Sequence, residues 1–282
     1  MLKGAGNLRV AAINDLSGFG KCSLVADISI LSSMGIEVCP VPTAVLTAQT
    51  GFSSYYMHET EDMIGQSRKE WTQMGVHFDG ILTGYMPDEN VVNSVLDFTK
   101  SFAVKDTVLL VDPVMGDGGK PYPNYSKGML EGIKELVSKA DIITPNLTEL
   151  YLLAGEAPEK ACETNAADNM EEISKIARSV MTGENQNVVV TGISSGQNEL
   201  INLVVSSKEE HVIGCRYNGR SYSGTGDLFA ALLIGNILNG KRIEDAAFRS
   251  ADFISRAIAA TTEKDRNYGV NFEEVLKRKW EE

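Results

Sequence analysis

Short apolar runs alternate with longer segments of helical period along most of the chain. Val10–Ile13 and Val38–Val41 are typical of buried strands, and Leu24, Ile28 and Leu31 recur between them at helical spacing. The alternation continues with strands predicted at 81–82, 108–111, 142–143 and 188–190 and helices at 91–98, 129–137 and 173–180. It predicts an α/β fold of three layers, α-β-α, with a mostly parallel central sheet covered by helices.

The alternation changes once, near residue 200. Leu200–Val205 and His211–Cys215 are rich in β-branched residues and flank the polar segment Ser206–Glu210. This arrangement predicts an antiparallel hairpin at the edge of the sheet. Two further helices are predicted at Leu228–Leu238 and Ile243–Ala260.

The composition is that of a globular domain, with 43% hydrophobic and 23% charged residues among 282. No low-complexity linker divides the chain, and we interpret the polar stretch Pro158–Asn169 as an insertion or a helix connection. We therefore predict a single domain over residues 1–282. The four cysteines and three histidines are scattered without metal-ligand spacing, which argues against a zinc site or a disulfide framework.

The net charge of −12 restricts the partners of the chain. An acidic surface repels phosphate backbones, so we expect no nucleic-acid partner. A small anion such as a nucleotide remains compatible, because backbone N–H groups at a helix N-terminus can bind it locally. No secretory signal pattern and no run of 18 apolar residues occurs, so we expect no membrane association and a cytoplasmic location.

The strongest chemical motif is Ser223-Gly224-Thr225-Gly226-Asp227, which opens a predicted helix. Glycines let backbone N–H groups converge at a helix N-terminus, where the helix dipole favours an anion. Asp227 is compatible either with a helix cap or with a catalytic group. The chain lacks the G-x-x-x-x-G-K-[ST] pattern, which excludes a Walker-type kinase.

Two further motifs follow predicted strands. Asp112-Pro-Val-Met-Gly-Asp117-Gly-Gly places two carboxylates among glycines, as in a mobile loop that binds Mg²⁺ and closes over phosphates, or as in a simple turn. Thr144-Pro-Asn146-x-x-Glu149 is compatible with a capping box at the start of a helix, or with a metal-organising pair.

Together and in this order, the three motifs resemble the ribokinase-like superfamily and, within it, the pyridoxal (vitamin B6) kinases. The resemblance extends from the first strand to the last helix. It implies ATP-dependent phosphorylation of the 5′-hydroxymethyl group of pyridoxal, pyridoxine or pyridoxamine in vitamin B6 salvage. It also implies Mg²⁺ and ATP at the site, a small-molecule substrate, a homodimer and a response to K⁺.

The resemblance assigns roles to residues at the phosphate side. Asp227 is expected to be the base, and the backbone of Gly224, Thr225 and Gly226 the anion hole. Asn146 and Glu149 are expected to organise Mg²⁺ through water. Asp112 is expected to contact both the nucleotide and the metal. Further nucleotide contacts are expected from Asp117, Thr144, Asn146, Thr191 and Tyr122.

Substrate-side residues follow from the same resemblance. Asn14, in the pair Asn14-Asp15 after the first strand, stands where pyridoxal kinases have a Ser-His-type pair that contacts the ring. Thr47 and Gln49 lie in the expected flap after the second strand. Tyr85 belongs to a Thr-Gly-Tyr element whose ring flanks the ligand, as suits a flat heteroaromatic substrate.

Alternatives remain on the same fold. Hydroxymethylpyrimidine kinases of thiamin synthesis usually carry Gly-Thr-Gly-Cys where this chain has Asp227, although the run Leu46–Gln49 is closer to theirs. Sugar and nucleoside kinases generally have a longer N-terminal half with lid strands. A non-catalytic ligand-binding relative would be expected to lack Asp227, Asn146 or Glu149, and all three are present.

Overall fold

A nine-stranded sheet lies between two layers of helices in the structure, a computed structural model that describes residues 7–163, 166–196 and 199–277. The strands are β1 (Arg9–Ser17), β2 (Glu37–Leu46), β3 (Met57–Glu59), β4 (Gly80–Thr83), β5 (Val108–Val111), β6 (Gly116–Asp117), β7 (Lys120–Pro121), β8 (Ile142–Ile143), β9 (Asn187–Ser194), β10 (Glu199–Val205) and β11 (Glu210–Arg216). The helices are α1 (Ser23–Ser33), α2 (Glu61–Met74), α3 (Glu89–Phe102), α4 (Lys127–Val137), α5 (Leu147–Ala154), α6 (Lys160–Glu163), α7 (Ala166–Ser179), α8 (Thr225–Leu238), α9 (Ile243–Ala260) and α10 (Phe272–Lys277), with a 3₁₀ turn at Arg266–Tyr268.

The sheet has the order β11-β10-β9-β8-β5-β4-β1-β2-β3. Its central neighbours, from β9 to β2, pair in parallel, whereas β10, β11 and β3 pair antiparallel at the two edges. Strands β6 and β7 form a separate small hairpin. The predicted α/β class, the mostly parallel sheet and the antiparallel edge hairpin are confirmed.

Two apolar cores cover the two faces of the sheet. Helices α2, α3, α4, α5 and α7 pack on one face, and α1, α8, α9 and α10 pack on the other. Because neighbouring residues of a strand point to opposite faces, Leu109 enters the first core and Leu110 the second. Strands that are apolar on both faces suit burial between helical layers.

Several strands extend further than the apolar runs indicated. β1 continues to Ser17 and β9 to Ser194, so Asn14, Asp15 and Thr191 lie within strands and not after them. Asn14 and Asp15 are buried although they are polar. A pattern based on hydrophobicity therefore ends the strand too early at this point.

The helix α2 and the short strands β3, β6 and β7 were not predicted from the sequence. In α2 only Ile64 is fully buried, so its sequence carries little apolar periodicity. The polar stretch 158–169 contains α6 and the start of α7, and its residues 164–165 lie outside the described residues. No helix of the described ranges is long and apolar enough to cross a lipid bilayer.

Candidate active site

The carboxyl ends of the parallel strands open into one cleft with a volume of about 1260 Å³. Thirteen of the fifteen residues singled out from the sequence line it, namely Gln49, Tyr85, Asp112, Asp117, Tyr122, Thr144, Asn146, Glu149, Thr191, Gly224, Thr225, Gly226 and Asp227. Asn14 and Thr47 are not among its lining residues. Ligands of open α/β sheets bind at this edge, so the position of the cleft agrees with the fold.

Asp227 lies in the first turn of α8, and both of its carboxylate oxygens accept hydrogen bonds. Asn14 Nδ2 donates to Oδ1 at 2.9 Å, and the backbone N–H of Ser23 donates to Oδ2 at 2.9 Å. Burial raises the pKa of Asp227, and the two donors act in the opposite direction. The carboxylate is therefore held in one orientation at the edge of the cleft.

Of the two glycines before Asp227, Gly224 is required by the backbone and by its neighbours. Gly224 is the N-cap of α8 with φ of 82°, and a Cβ there would lie 2.3 Å from the carbonyl oxygen of Lys21. At Gly226 a Cβ would have ordinary clearance, 3.7 Å from Oδ2 of Asp112. The first-turn N–H groups of a helix have no intrahelical acceptor, so those of α8 are available to an anion in the cleft.

Asn14 has a full set of internal hydrogen bonds. Its Nδ2 donates to Asp227 and to Asp27, and its Oδ1 accepts from the backbone N–H groups of Asp15 and Tyr85. The ring contact expected for Asn14 stays a prediction, and the geometry favours a different role, because its amide is engaged within the protein. Asn14 holds Asp227.

Asp112 follows β5 and faces Asp227 across the cleft. Thr144 Oγ1 donates to its Oδ1 at 3.1 Å, and its Oδ2 lies on the side of Gly226. Burial and the nearby Asp227 raise the pKa of Asp112 to about 7. A cation in the cleft would favour its ionised form.

Asn146 and Glu149 form the capping box at the start of α5. Asn146 Oδ1 accepts from the Glu149 N–H, and Glu149 Oε2 accepts from the Asn146 N–H. Both side chains also hold the loop after β5, since Asn146 Nδ2 donates to the Gly116 carbonyl at 2.9 Å and Glu149 Oε1 accepts from the Met115 N–H at 3.1 Å. Burial, then Asp112, raises the pKa of Glu149. The cap and the site are thus the same two residues.

The carboxylates of the cleft fit a magnesium ion that is shared with phosphates. Within the described residues no three His, Cys, Asp or Glu side chains converge on a single point. Mg²⁺ is commonly held by one or two carboxylates, several waters and the substrate phosphates, so a three-residue cluster is not required. Asp112 and Glu149 are buried, carry raised pKa values and have no cationic partner among the ion pairs of the described chain. This donor set suits a hard divalent cation.

The loop between β5 and α4 carries the second carboxylate of its motif. Asp117 Oδ1 accepts from the Gly118 N–H at 2.8 Å, and Thr148 Oγ1 accepts from the Gly119 N–H at 2.9 Å. Gly118 and Gly119 both have positive φ, which favours glycine at these positions. Tyr122, at the end of this loop, is 38% exposed and lines the cleft.

The end of the cleft beside β9 and β10 is apolar. Leu200, Ile254 and Ile258 form apolar walls near Thr191. Arg220 and Arg266 are the basic side chains that line the cleft within the described residues, against six acidic ones. Apolar walls with a few polar groups are typical of a nucleotide-base pocket.

Tyr85 and Gln49 shape the opposite end. The Tyr85 hydroxyl accepts from Asn124 Nδ2 at 3.3 Å, and burial raises the pKa of Tyr85 to about 12. Gln49 bridges two loops, because its Nε2 donates to the Asn267 carbonyl and its Oε1 accepts from the Gly51 N–H.

Thr47 lies outside the cleft. It is exposed, and its Oγ1 accepts from the backbone N–H of Tyr56. It joins the two sides of the β2–β3 connection, so its substrate contact stays a prediction without support from the geometry.

Three residues of the site were not assigned a role from the sequence. Asp15 lines the cleft, and burial raises its pKa to about 6. Ser23 donates to Asp227, and Asp27 is buried beside Asn14. Asp27 carried a signal that could have been used, because it stands on the apolar face of α1 with Leu24 and Leu31.

A family model described as phosphomethylpyrimidine kinase matches residues 20–271. The chain belongs to this family. A Bacteroides thetaiotaomicron family member, described as a phosphomethylpyrimidine kinase and crystallised in a form with pyridoxal, is 34% identical, with a TM-score of 0.88 over 97% of this chain and 96% of that one.

Curated pyridoxal kinases are also similar to this chain. The pyridoxal kinase of Histophilus somni is 27% identical over 260 residues, covering 88% of this chain and 86% of that protein. The pyridoxal kinase of Pasteurella multocida is 29% identical over 203 residues, 67% of this chain and 65% of that protein. These relatives confirm the resemblance to pyridoxal kinases and the ribokinase-like fold, and they support a kinase.

Proposed function

We propose that the protein described here by its sequence and fold is an ATP-dependent kinase of vitamin B6, which phosphorylates the 5′-hydroxymethyl group of pyridoxal, pyridoxine and pyridoxamine. The observation that carries the proposal is the position of Asp227. Its carboxylate is fixed by two hydrogen bonds beside the glycine N-terminus of α8, where an anion is favoured. A base and an anion-binding backbone thus lie in adjacent residues.

The chemistry is an in-line displacement. The substrate oxygen forms a bond to the γ-phosphorus while the bond from that phosphorus to the β,γ-bridging oxygen breaks, and ADP leaves. Asp227 takes the proton of the attacking hydroxyl. The N–H groups of the Gly224–Gly226 segment stabilise the charge on the transferred group, because phosphoryl transfer depends mainly on positioning and electrostatics.

Asp112, Asn146 and Glu149 are the residues that would hold Mg²⁺, with Glu149 and Asn146 acting through water. When bound, the ion would neutralise charge on the β- and γ-phosphates. The protein itself keeps Asp112 near Gly226 and ties the loop after β5 to α5 through Glu149. In this proposal Asp117, Thr144, Thr191 and Tyr122 contact the nucleotide, and the apolar wall at Leu200, Ile254 and Ile258 receives the adenine.

The substrate end supports a flat ring with polar substituents. Tyr85 offers an aromatic face, and Asp15, whose charge acts on Tyr85, offers a buried carboxyl that also lines the cleft. A relative of 34% identity that matches 97% of this chain was crystallised in a form with pyridoxal. We therefore place pyridoxal between Tyr85 and Asp227, with its hydroxymethyl group toward the carboxylate.

Hydroxymethylpyrimidine is the second candidate substrate. The description of the matching family model favours it, since that model bears the name phosphomethylpyrimidine kinase. Both molecules are flat nitrogen heterocycles with a hydroxymethyl group, so the cleft can be tested with both. Asp227 in place of the usual cysteine favours vitamin B6.

A coupled ADP-release assay with ATP and Mg²⁺ tests the proposal. Pyridoxal, pyridoxine, pyridoxamine and hydroxymethylpyrimidine are compared under matched conditions, with mass spectrometry of the product. Turnover with the vitamers above that with the pyrimidine supports the proposal, and the reverse order supports the second candidate. No turnover with any of them, together with no thermal shift on adding ATP and Mg²⁺, would favour a non-catalytic role.

Further properties predicted from the sequence or implied by the resemblance remain proposals. They are one domain over residues 1–282, a homodimer, a response to K⁺ and a cytoplasmic location. Sedimentation velocity tests the dimer, and turnover in KCl against a matched sodium salt tests the K⁺ response.

A further inference from the structure

A carboxyl group that the proposed reaction does not use lies behind the base. Asp27, on α1, is 0% exposed. Its Oδ2 accepts a hydrogen bond from Asn14 Nδ2 at 3.1 Å, and its Oδ1 is buried with no hydrogen-bond partner among the described residues. A buried carboxylate without a cation is costly, so the presence of this group requires a reason.

Asn14 connects Asp27 to Asp227. One N–H of its amide faces Asp27, and the other faces Asp227 Oδ1 at 2.9 Å. The amide oxygen accepts from the N–H groups of Asp15 and Tyr85 at 3.0 and 2.9 Å. If the amide turned over, its oxygen would face Asp27 and Asp227, and its N–H groups would face two backbone donors. The four contacts therefore specify one orientation of the amide.

Gly84 leaves the room that this arrangement needs. A Cβ at Gly84 would lie 2.5 to 2.6 Å from the atoms of the Asn14 amide. The Asn14 amide is therefore closely packed against Gly84 as well as hydrogen-bonded. A shift of Asp27 would move this amide and, with it, the contact to Asp227.

The groups that face Asp27 are acidic. They are Asp227 on α8, Asp15 on β1 and Asp112 after β5. Burial, then the charge of Asp227, raises the pKa of Asp27 well above its usual value. Within the described ranges no lysine or arginine forms an ion pair with Asp27. A neutral Asp27 is compatible with an ionised Asp227 on the other side of the same amide, whereas two anions there would repel each other.

We propose that Asp27 is a positioning residue that keeps the Asn14 amide oriented toward the proposed base Asp227. The inference rests on the proposed kinase function for its effect on turnover. Asp27 touches neither substrate nor nucleotide in this account. Asp27 accepts one of the four hydrogen bonds of the Asn14 amide. In its neutral form it adds no second negative charge behind Asp227.

Two substitutions separate this role from a packing role. Asp27→Asn is neutral, has the same shape and retains an acceptor for Asn14, so we expect it to keep most of the wild-type kcat. Asp27→Leu is also neutral and apolar but offers no acceptor. We expect it to lower kcat by about tenfold to a hundredfold, since small misplacement of a catalytic group is costly, with an unchanged KM for ATP.

The pH dependence of Tm provides a readout that does not depend on turnover. A group with a raised folded-state pKa contributes stability that is lost as the pH rises through that pKa. Wild-type Tm should therefore fall relative to that of Asp27→Asn as the pH rises above about 4, where unfolded aspartate ionises. In the pH profile of kcat, Asp27→Asn should retain activity to a higher pH than the wild type.

The experiment is to measure kcat, KM and Tm of wild type, Asp27→Asn and Asp27→Leu from pH 5 to 9. The proposal is supported if Asp27→Asn is active, Asp27→Leu is impaired in kcat, and the Tm difference between Asp27→Asn and wild type grows with pH. It is overturned if Asp27→Asn is as impaired as Asp27→Leu, if Asp27→Leu equals wild type, or if the Tm difference is independent of pH. Should Asp27→Leu fail to fold, the comparison of Asp27→Asn with wild type decides. A wild type without transfer activity refutes the kinase proposal, and the Tm comparison still decides whether Asp27 is neutral.

Discussion

The backbone N–H of Ser23 donates a 2.9 Å hydrogen bond to Oδ2 of Asp227, and Ser23 is the non-glycine residue with a positive φ, 54°, in the described chain. A left-handed backbone at the start of α1 is unfavourable for an L-residue other than glycine, asparagine or aspartate. The strained residue therefore directs a backbone donor at Asp227. This contact joins α1 to the Gly-Thr-Gly-Asp motif, 204 residues away in the chain.

Substitutions at Ser23 test that relationship. Ser23→Gly should leave kcat near the wild-type value, because glycine adopts the left-handed region without strain. Ser23→Val should lower both Tm and kcat, since a β-branched residue at positive φ costs roughly 1–3 kcal/mol and displaces the N–H group. Thermal unfolding and steady-state turnover measure the two effects. Equal kcat for Gly and Val would show that this N–H does not orient Asp227.

A substitution at Gly226 tests the proposed anion hole. A Cβ there has ordinary clearance from Asp112 and φ is not positive, so Gly226→Ala should fold with nearly unchanged Tm. The methyl group would stand where the γ-phosphate is proposed to bind and would hold the phosphate away from the backbone N–H groups, so we expect turnover to fall by about 10² or more, the usual cost of losing one oxyanion contact. The matched control is Gly65→Ala in α2, where a Cβ meets nothing within 4 Å. Turnover of Gly226→Ala equal to that of the control would exclude an anion hole at this backbone.

The order of the main elements could be predicted from the sequence because the central strands are apolar on both faces. Leu109 and Leu110 face different apolar cores, and such strands are recognised by their continuous hydrophobicity. The ends of β1 were not predicted, because Asn14 and Asp15 are polar and yet buried. The partners of Asn14 are far away in the chain, at Tyr85 and Asp227, and a local pattern does not contain them.

The candidate site was predictable where residues belong to a motif. Asp112, Asn146, Glu149 and Asp227 follow strands or begin helices, and the fold brings them to one cleft. The network behind the base was not predictable, since no motif spacing links Asp27 to Asp227 across 200 residues. Such contacts arise from the packing of α1 against α8.

Asp15 predicts a pH-dependent stability. Burial raises its pKa to about 6, so the folded protein retains a proton that the unfolded chain releases near its ordinary value. Its stabilising contribution is complete below about pH 4 and is lost as the pH rises through about 6, a change of about 3 kcal/mol. Asp15→Asn should therefore gain Tm relative to wild type between pH 4 and 7. A constant difference in Tm over this range would contradict the raised pKa.

Glu149→Gln should affect both the metal response and the fold. One carboxylate oxygen becomes an N–H₂ group facing a backbone donor at Met115 or Asn146, which costs about 1–3 kcal/mol. We also expect a higher Mg²⁺ concentration at half-maximal activity. The control is Ser126→Ala, which removes the cap of α4 and should lower Tm without changing the Mg²⁺ titration. An unchanged Mg²⁺ titration for Glu149→Gln would contradict its role at the metal.

The most direct test of the central claim is the rate of pyridoxal 5′-phosphate formation by Asp227→Asn at saturating ATP, Mg²⁺ and pyridoxal. The matched control is Asp97→Asn, at an aspartate on α3 that is 56% exposed. If Asp227 is the base, its variant should still bind ATP, as judged by thermal shift, and kcat should fall by about 10² to 10⁴ while the control remains at the wild-type value. A fall of less than about fivefold with ATP binding intact would show that Asp227 is not the base.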